Sequence, residues 1–392
     1  MDRKARWMLP DGVDELLPPE AAQAEALRRR LLDLFDSWGY ELIMPPFIEY
    51  LEALLTGTGR DLDVQTFKVT DQLSGRTLGV RPDITPQAAR IDAHQLRREG
   101  ITRLCYIGST LQARAEGPAG SRNAVQLGAE LYGHAGVESD LEVISLMLAT
   151  LRAAGVEQLH LDVGHVGIFE ALLEDLGLGP AAEEALLDAL QRKAGDEIAV
   201  VLAEAGVETA QAERLSALVG LHGGVEVLER AQTVLGWAGP AVAEALEQLR
   251  VVADSLARRE PELPLHLDLG ELRGYRYHTG LVFAAYTPGY GQELARGGRY
   301  DGIGRAFGRP RPATGYSADL KALLNLGGGV AGSAGGGVLA PWGDDPALHA
   351  RVAELRAAGE RVVWQLPGDE QDNHGCDRRL VERNGTWELD TE

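Results

Sequence analysis

The sequence predicts an α+β fold with an antiparallel sheet core, a helical insertion and a small C-terminal α/β segment. Three observations carry this prediction. Short alternating runs bounded by turn residues recur at 67–70, 76–80, 104–112 and 125–132, the pattern of strands that pair with their neighbours. From 168 to 258 the apolar positions switch to helical spacing, with glycines at 177, 179, 195, 206 and 220 as breaks, and strands resume at 265–269 and 280–285. Beyond a glycine-rich stretch, a strand at 338–340, a helix at 346–358 and a strand at 361–365 follow. The chain of 392 residues, 45% hydrophobic, is long enough for two or three domains. The expected division is a core over 1–325 interrupted by the 168–258 insertion, a linker over 326–337 and a small segment over 338–392.

In chain order, Pro18 and Pro19 open a helix in which Leu27, Leu31, Leu34, Phe35 and Trp38 share one face, and Gly39 ends it. A short extended run at 41–44 is stopped by Pro45 and Pro46, because proline cannot continue a central ladder. A polar Asp-Gln-Leu-Ser-Gly turn between 67–70 and 76–80 makes a hairpin. The strands 104–112 and 125–132 are joined by the loop 113–124. Ser139 and Glu142 form a capping box for a helix running to Ala154, before a strand at 159–163. The run Gly297-Gly298-Arg299-Tyr300-Asp301-Gly302 reads as a tight bend, followed by a helix over 317–324. Gly327, Gly329 and Gly332 formally spell GxGxxG, yet no strand precedes them and no helix start follows, so the stretch reads as a linker.

The net charge of -21 disfavours nucleic acid as a partner. Cys105 and Cys376 lack any CxxC or Cys/His companion, which argues against a disulfide framework and a zinc site and for a reducing cytoplasm. Neither an export signal nor an apolar run of membrane-spanning length is seen, so no membrane anchor is expected. Walker, HExxH and Ser/His/Asp signatures are missing too, and no cofactor or metal is expected.

Four ordered clusters carry the chemistry: Arg81-Pro82-Asp83-Ile84-Thr85, Gln126-Leu127-Gly128-Ala129-Glu130, Arg273-Gly274 with Tyr277-His278-Thr279-Gly280, and the 297–302 run. Together they resemble histidyl-tRNA synthetases over residues 8–325, which implies a class II aminoacyl-tRNA synthetase-like core. The resemblance assigns Asp83, Thr85, Gln126 and Glu130 to a histidine-like ligand pocket, with Arg273, Tyr277 and His278 beside them. Gln126 and Glu130 would share one face of a strand, where a carboxylate suits an ammonium and an amide suits a polar side chain. The alternative is a set of buried polar groups bonded to one another across strands. The family's Arg-Gly-x-Asp-Tyr-Tyr pattern ends here in Tyr277-His278, which either retunes ligand choice or fills the sheet.

The departures from the synthetase pattern concern ATP. The arginine that grips the α-phosphate is replaced by Gln112, and the Glu-Arg pair of the third class motif reads Lys321-Ala322. Activation needs positive charge where the phosphate anion develops, and losing one such group costs about a hundredfold or more in rate. Arg114 stands at a family glutamate position and is predicted on the same strand face as Gln112. Lys321, one helical step from Ala322, would point about a hundred degrees away from it. The tail carries Arg378, Arg379 and Arg383 offset by Asp369, Glu370, Asp372, Asp377 and Glu382, so it has no basic patch to read RNA.

A synthetase fold that keeps an amino-acid pocket and loses its ATP clamps resembles the family of ATP phosphoribosyltransferase regulatory subunits. That resemblance implies no catalysis, assembly with the short-form catalytic subunit, histidine as effector, and a homodimeric core through the run before Pro45. Two alternatives stay open: an active histidyl-tRNA synthetase or other amino-acid-activating ligase, and a stand-alone amino-acid sensor with an unrelated partner.

Overall fold

The computed structural model describes residues 7–57, 60–114, 121–272, 274–275, 277–327, 336–368 and 372–391. The first helix, Glu20–Ser37, buries Ala24, Leu27, Leu31 and Phe35, one face at helical spacing. After Gly39, whose φ of +77° suits the turn, come β1 (Glu41–Leu42) and, past Pro45 and Pro46, β2 (Ile48–Tyr50), which the sequence had not suggested. β3 (Phe67–Thr70) and β4 (Thr77–Val80) form the expected hairpin, and β2 completes a three-stranded sheet on the free side of β4. Asp71 holds the hairpin turn by accepting hydrogen bonds from the Leu73 amide and the Ser74 hydroxyl.

β5 (Thr102–Ser109) is shorter than the predicted 104–112, because Leu111 and Gln112 turn their amides to the carbonyls of Arg81 and Arg122. β6 (Val125–Tyr132) agrees with its prediction. The helix Val137–Ala153 begins without the predicted capping box. Gly136 caps it, the Ser139 hydroxyl donates to the carbonyls of Gly136 and His134, and Glu142 is drawn into a bidentate pair with Arg103 and a bond from Tyr40. A charge-assisted pair outweighs the local cap.

β7 (His160–His165) leads into the inserted helices, whose longest is Gly239–Arg259, with the two-residue β8 (His222–Gly223) among them. The core then closes with β9 (Leu265–Asp268), β10 (Leu281–Tyr286), β11 (Ala295–Arg299), β12 (Ala313–Asp319) and the helix Leu320–Leu326. The predicted bend at 297–302 is therefore half strand. Gly297 lies inside β11 because a Cβ there would stand 2.7 Å from the Phe283 ring, and the chain turns only after Arg299. The predicted helix at 317–324 starts at Leu320 instead, since β12 runs on to Asp319, whose carboxylate caps the helix by accepting from the Lys321 amide at 3.0 Å.

Nine strands form one sheet in the order β1-β5-β6-β12-β11-β10-β7-β9-β8. It is antiparallel except for the β1–β5 and β7–β9 pairs. Leu127, Ala129 and Leu131 of β6 enter the main core with Leu27, Leu31, Leu146 and Met147 from the helices. By the two-residue period of a strand, Gln126, Gly128 and Glu130 face the other side.

The second compact unit, Ala331–Glu392, has its own core of Val338, Leu348, Val352, Leu355 and Leu380. β13 (Gly337–Pro341), the helix Pro346–Ala357 and β14 (Val362–Gln365) lie close to the predicted ranges. β15 (Cys376–Arg383) and β16 (Thr386–Thr391) were not foreseen. Their signal was present: Asn384-Gly385, both at positive φ, is the preferred two-residue hairpin turn. Most of the proposed linker, 328–335, lies outside the described residues. Among the described residues, no helix is long and apolar enough to cross a membrane.

Candidate functional site: a polar cavity beside an acidic groove

On the open face of the sheet lies a cavity of about 280 Å³, lined among others by Asp83, Thr85, Glu130, Tyr277, His278 and Tyr300. Glycine makes the room. A Cβ on Gly315, paired with Glu130 across β6 and β12, would collide with the Glu130 carboxylate, and one on Gly128 would stand 2.7 Å from the Tyr316 carbonyl oxygen and press on the Tyr106 ring.

Glu130 is 1% exposed. It accepts a hydrogen bond from the Tyr106 hydroxyl at 2.9 Å on one oxygen and from the Tyr300 hydroxyl at 2.5 Å on the other. Burial pushes its carboxyl up to about 8 despite those two donors. Tyr277 stacks on Tyr300 with ring centroids 5.1 Å apart, and its own buried hydroxyl has no hydrogen-bond partner among the described residues. His278 lies edge-on to Tyr277, and burial lowers its imidazole to about 4, so the ring is neutral.

Five of the predicted pocket residues, Asp83, Thr85, Glu130, Tyr277 and His278, thus line one cavity. Gln126 stands one step outward. Its amide donates to Asp83 at 2.7 Å and accepts from the Ile84 backbone at 2.8 Å, fixing the turn that carries Asp83 and Thr85. Arg273 lies outside the described residues. Sequence reasoning missed Tyr106 and Tyr300, the two donors to Glu130. Tyr106 faces Gly128 across the ladder, and Tyr300 stands inside the glycine-rich 297–302 run, so a bulky phenol against a bare backbone was the available signal.

Next to this cavity runs a groove of about 1370 Å³ that includes Gln112, Gln126, Lys321 and Ala322 in its lining. Gln112 and Ala322 bring an amide and a methyl to that lining. Lys321 lines the groove together with Ala322. The later helix start puts it in the first turn, and its ammonium reaches Asp14 at 2.9 Å on the groove wall. Arg114 does not share a strand face with Gln112, since β5 has ended, and its side chain is exposed. Acidic Asp14, Asp83, Glu184, Asp188, Glu293 and Asp319 line the groove as well and outnumber its cations, Arg296 and Lys321. An electrostatic environment of that sign opposes a triphosphate.

Fold and site define a histidyl-tRNA synthetase-like protein: the histidyl-tRNA synthetase family profile matches residues 12–323. A second profile, for the C-terminal domain of the ATP phosphoribosyltransferase subunit HisZ, matches residues 335–390. An ATP phosphoribosyltransferase regulatory subunit of Alkalilimnicola ehrlichii is 63% identical over 383 residues, 97% of this chain and 96% of that one. One from Stutzerimonas stutzeri is 56% identical over 385 residues, 97% of each. The chain belongs to the family of ATP phosphoribosyltransferase regulatory subunits. Among solved structures, a Bacillus halodurans regulatory subunit/histidyl-tRNA synthetase superposes with a TM-score of 0.81 at 28% identity, covering 93% of this chain and 94% of that one. Histidyl-tRNA synthetase from Nostoc shares the fold, with a TM-score of 0.76 at 17% identity over 96% of this chain and 91% of that one.

Proposed function

We propose that this chain is the non-catalytic regulatory subunit of ATP phosphoribosyltransferase, assembling with the short catalytic subunit that joins ATP to phosphoribosyl pyrophosphate at the start of histidine biosynthesis. In this reading it activates that subunit and carries histidine feedback to it from the cytoplasm. Histidine is the effector, held in the cavity of Glu130 and His278, and it acts by binding one state of the assembly better than another. The observation that carries the reading is the contrast between two neighbouring spaces. The cavity gathers Asp83, Thr85, Glu130, Tyr277 and His278, whereas the groove beside it presents Gln112 and Ala322 and has Lys321 tied to Asp14.

A homodimeric core is part of the proposal. Leu42, Met44, Phe47, Ile48 and Tyr50 on β1, β2 and the turn between them are exposed, Met44 to 76%, an apolar strip of the kind that a second copy covers. Pyrophosphate exchange tests the non-catalytic part directly. Histidine should drive no exchange of pyrophosphate into ATP by this chain, and histidine-dependent exchange would overturn the reading in favour of an active ligase.

A further inference from the structure

The cavity and the groove share a boundary, and five described residues line both: Asp83, Gly274, Tyr277, Arg296 and Ser317. One of the five is acidic and one is a cation. Asp83 is held by the Gln126 amide at 2.7 Å and accepts from the Thr85 backbone at 2.9 Å. Arg296 is the only cation among the described residues that line the cavity, against the acidic Asp83, Glu130, Asp162 and Glu271.

The ladder register fixes where Arg296 stands. Glu130 on β6 pairs with Gly315 on β12, and Gly315 with Gly298 on β11, so a row of bare backbone runs away from the carboxyl. Gly128, Ser317 and Arg296 form the next row on the same face of the sheet. Two residues along a strand are about 7 Å apart, which suits an amino acid whose ring lies over the glycine row and whose head group lies over Ser317. Arg296 reaches that head position from β11. Burial lowers the His278 imidazole and the Arg296 charge adds to the effect, which puts the guanidinium near the ring at the cavity wall. A pair with Glu293 at 3.0 Å orients the guanidinium, whose five donors can serve more than one carboxylate.

We propose that Arg296 is a specificity-determining residue of this site and holds the α-carboxylate of the amino-acid ligand. The inference rests on the reading of the cavity as the effector pocket. Asp83, on the same boundary, is the matching acceptor for the ammonium, so the site reads a free zwitterionic head as well as a side chain. An amine or amino alcohol with the same ring gains nothing from Arg296, and an ester or amide of the amino acid fails in the same way. The Arg296 side chain is 54% exposed, so the bound carboxylate stays partly hydrated and the pair contributes about tenfold in affinity, less than a fully desolvated pair would.

Calorimetric titration of the full chain, alone and with the catalytic subunit, using histidine, the amino alcohol histidinol and the amine histamine, tests the proposal. Histidine should bind at least about tenfold more tightly than either analogue. Arg296→Gln should weaken histidine by about tenfold and leave both analogues within about twofold, so that the discrimination collapses. Arg296→Lys keeps the charge without the fork and should retain part of it. Both variants replace a half-exposed side chain, and their urea midpoints should match the unaltered chain. Unchanged discrimination in Arg296→Gln, or analogues that bind the unaltered chain as tightly as histidine does, overturns the inference and leaves the effector pocket standing. No histidine binding to the unaltered chain in either preparation overturns both.

Discussion

Gly315 lies directly opposite Glu130 in the β6–β12 pairing, and any side chain at 315 would occupy the space of the Glu130 carboxylate. Gly315→Ala should therefore cost about 1–3 kcal/mol of stability, the usual penalty for overpacking, and abolish histidine binding. Urea unfolding together with calorimetry checks both effects. Full stability in the variant would mean that the carboxylate is free to move aside.

Glu130 itself should be costly to the fold. Its carboxyl is raised by burial from 4.5 to about 8, so between those values the folded chain keeps a proton that the unfolded chain releases. Stability therefore falls as pH rises through that window and is unaffected by this group below it. Glu130→Gln removes the dependence, and the variant should gain on the wild type with rising pH, by up to about 4 kcal/mol at pH 8. Thermal unfolding at pH 5 and pH 8 measures the difference. The same variant should lose histidine, a trade of ligand binding for stability.

Arg299 and Asp140 form a buried pair at 2.7 Å, with side chains 7% and 1% exposed. Arg299 also donates to the carbonyls of His134 and Gly136 and so ties β11 to the start of the helix Val137–Ala153. Arg299→Ala strands a buried carboxylate and should cost about 3–5 kcal/mol, read from the shift in urea midpoint.

The apolar strip on β1 and β2 makes a separate prediction. Ile48 is 49% exposed at the strip's centre, and Ile48→Asp should convert a sedimenting dimer into a monomer without changing the far-ultraviolet spectrum. A wild-type chain that sediments as a monomer would remove the dimeric part of the proposal.

Much of this architecture was legible in the sequence, because the elements that mattered had local causes. The one-faced leucines of Glu20–Ser37 and the Asp71 turn are local signals, and the β6 alternation alone puts Gln126 and Glu130 on one side of a sheet. What escaped reading was decided at long range. Glu142 left its capping box for Arg103, an approach invisible in a window of four residues. Gly297 serves inside a strand rather than in a bend because the Phe283 ring on the neighbouring strand needs its space. The helix that carries Lys321 starts three residues later than predicted because β12, a strand the sequence had not suggested, runs to Asp319. The cavity residues were legible through their resemblance to a known pattern, whereas the phenols that hold Glu130 were not, since only the folded ladder brings Tyr106 and Tyr300 to it.

The most direct measurement is the ATP phosphoribosyltransferase activity of the short catalytic subunit from the same organism, with and without this chain, across a histidine titration. Activation by the chain that histidine reverses, with Glu130→Gln activating but no longer responding to histidine, is the predicted result. A catalytic subunit indifferent to the chain at every histidine concentration would contradict the account.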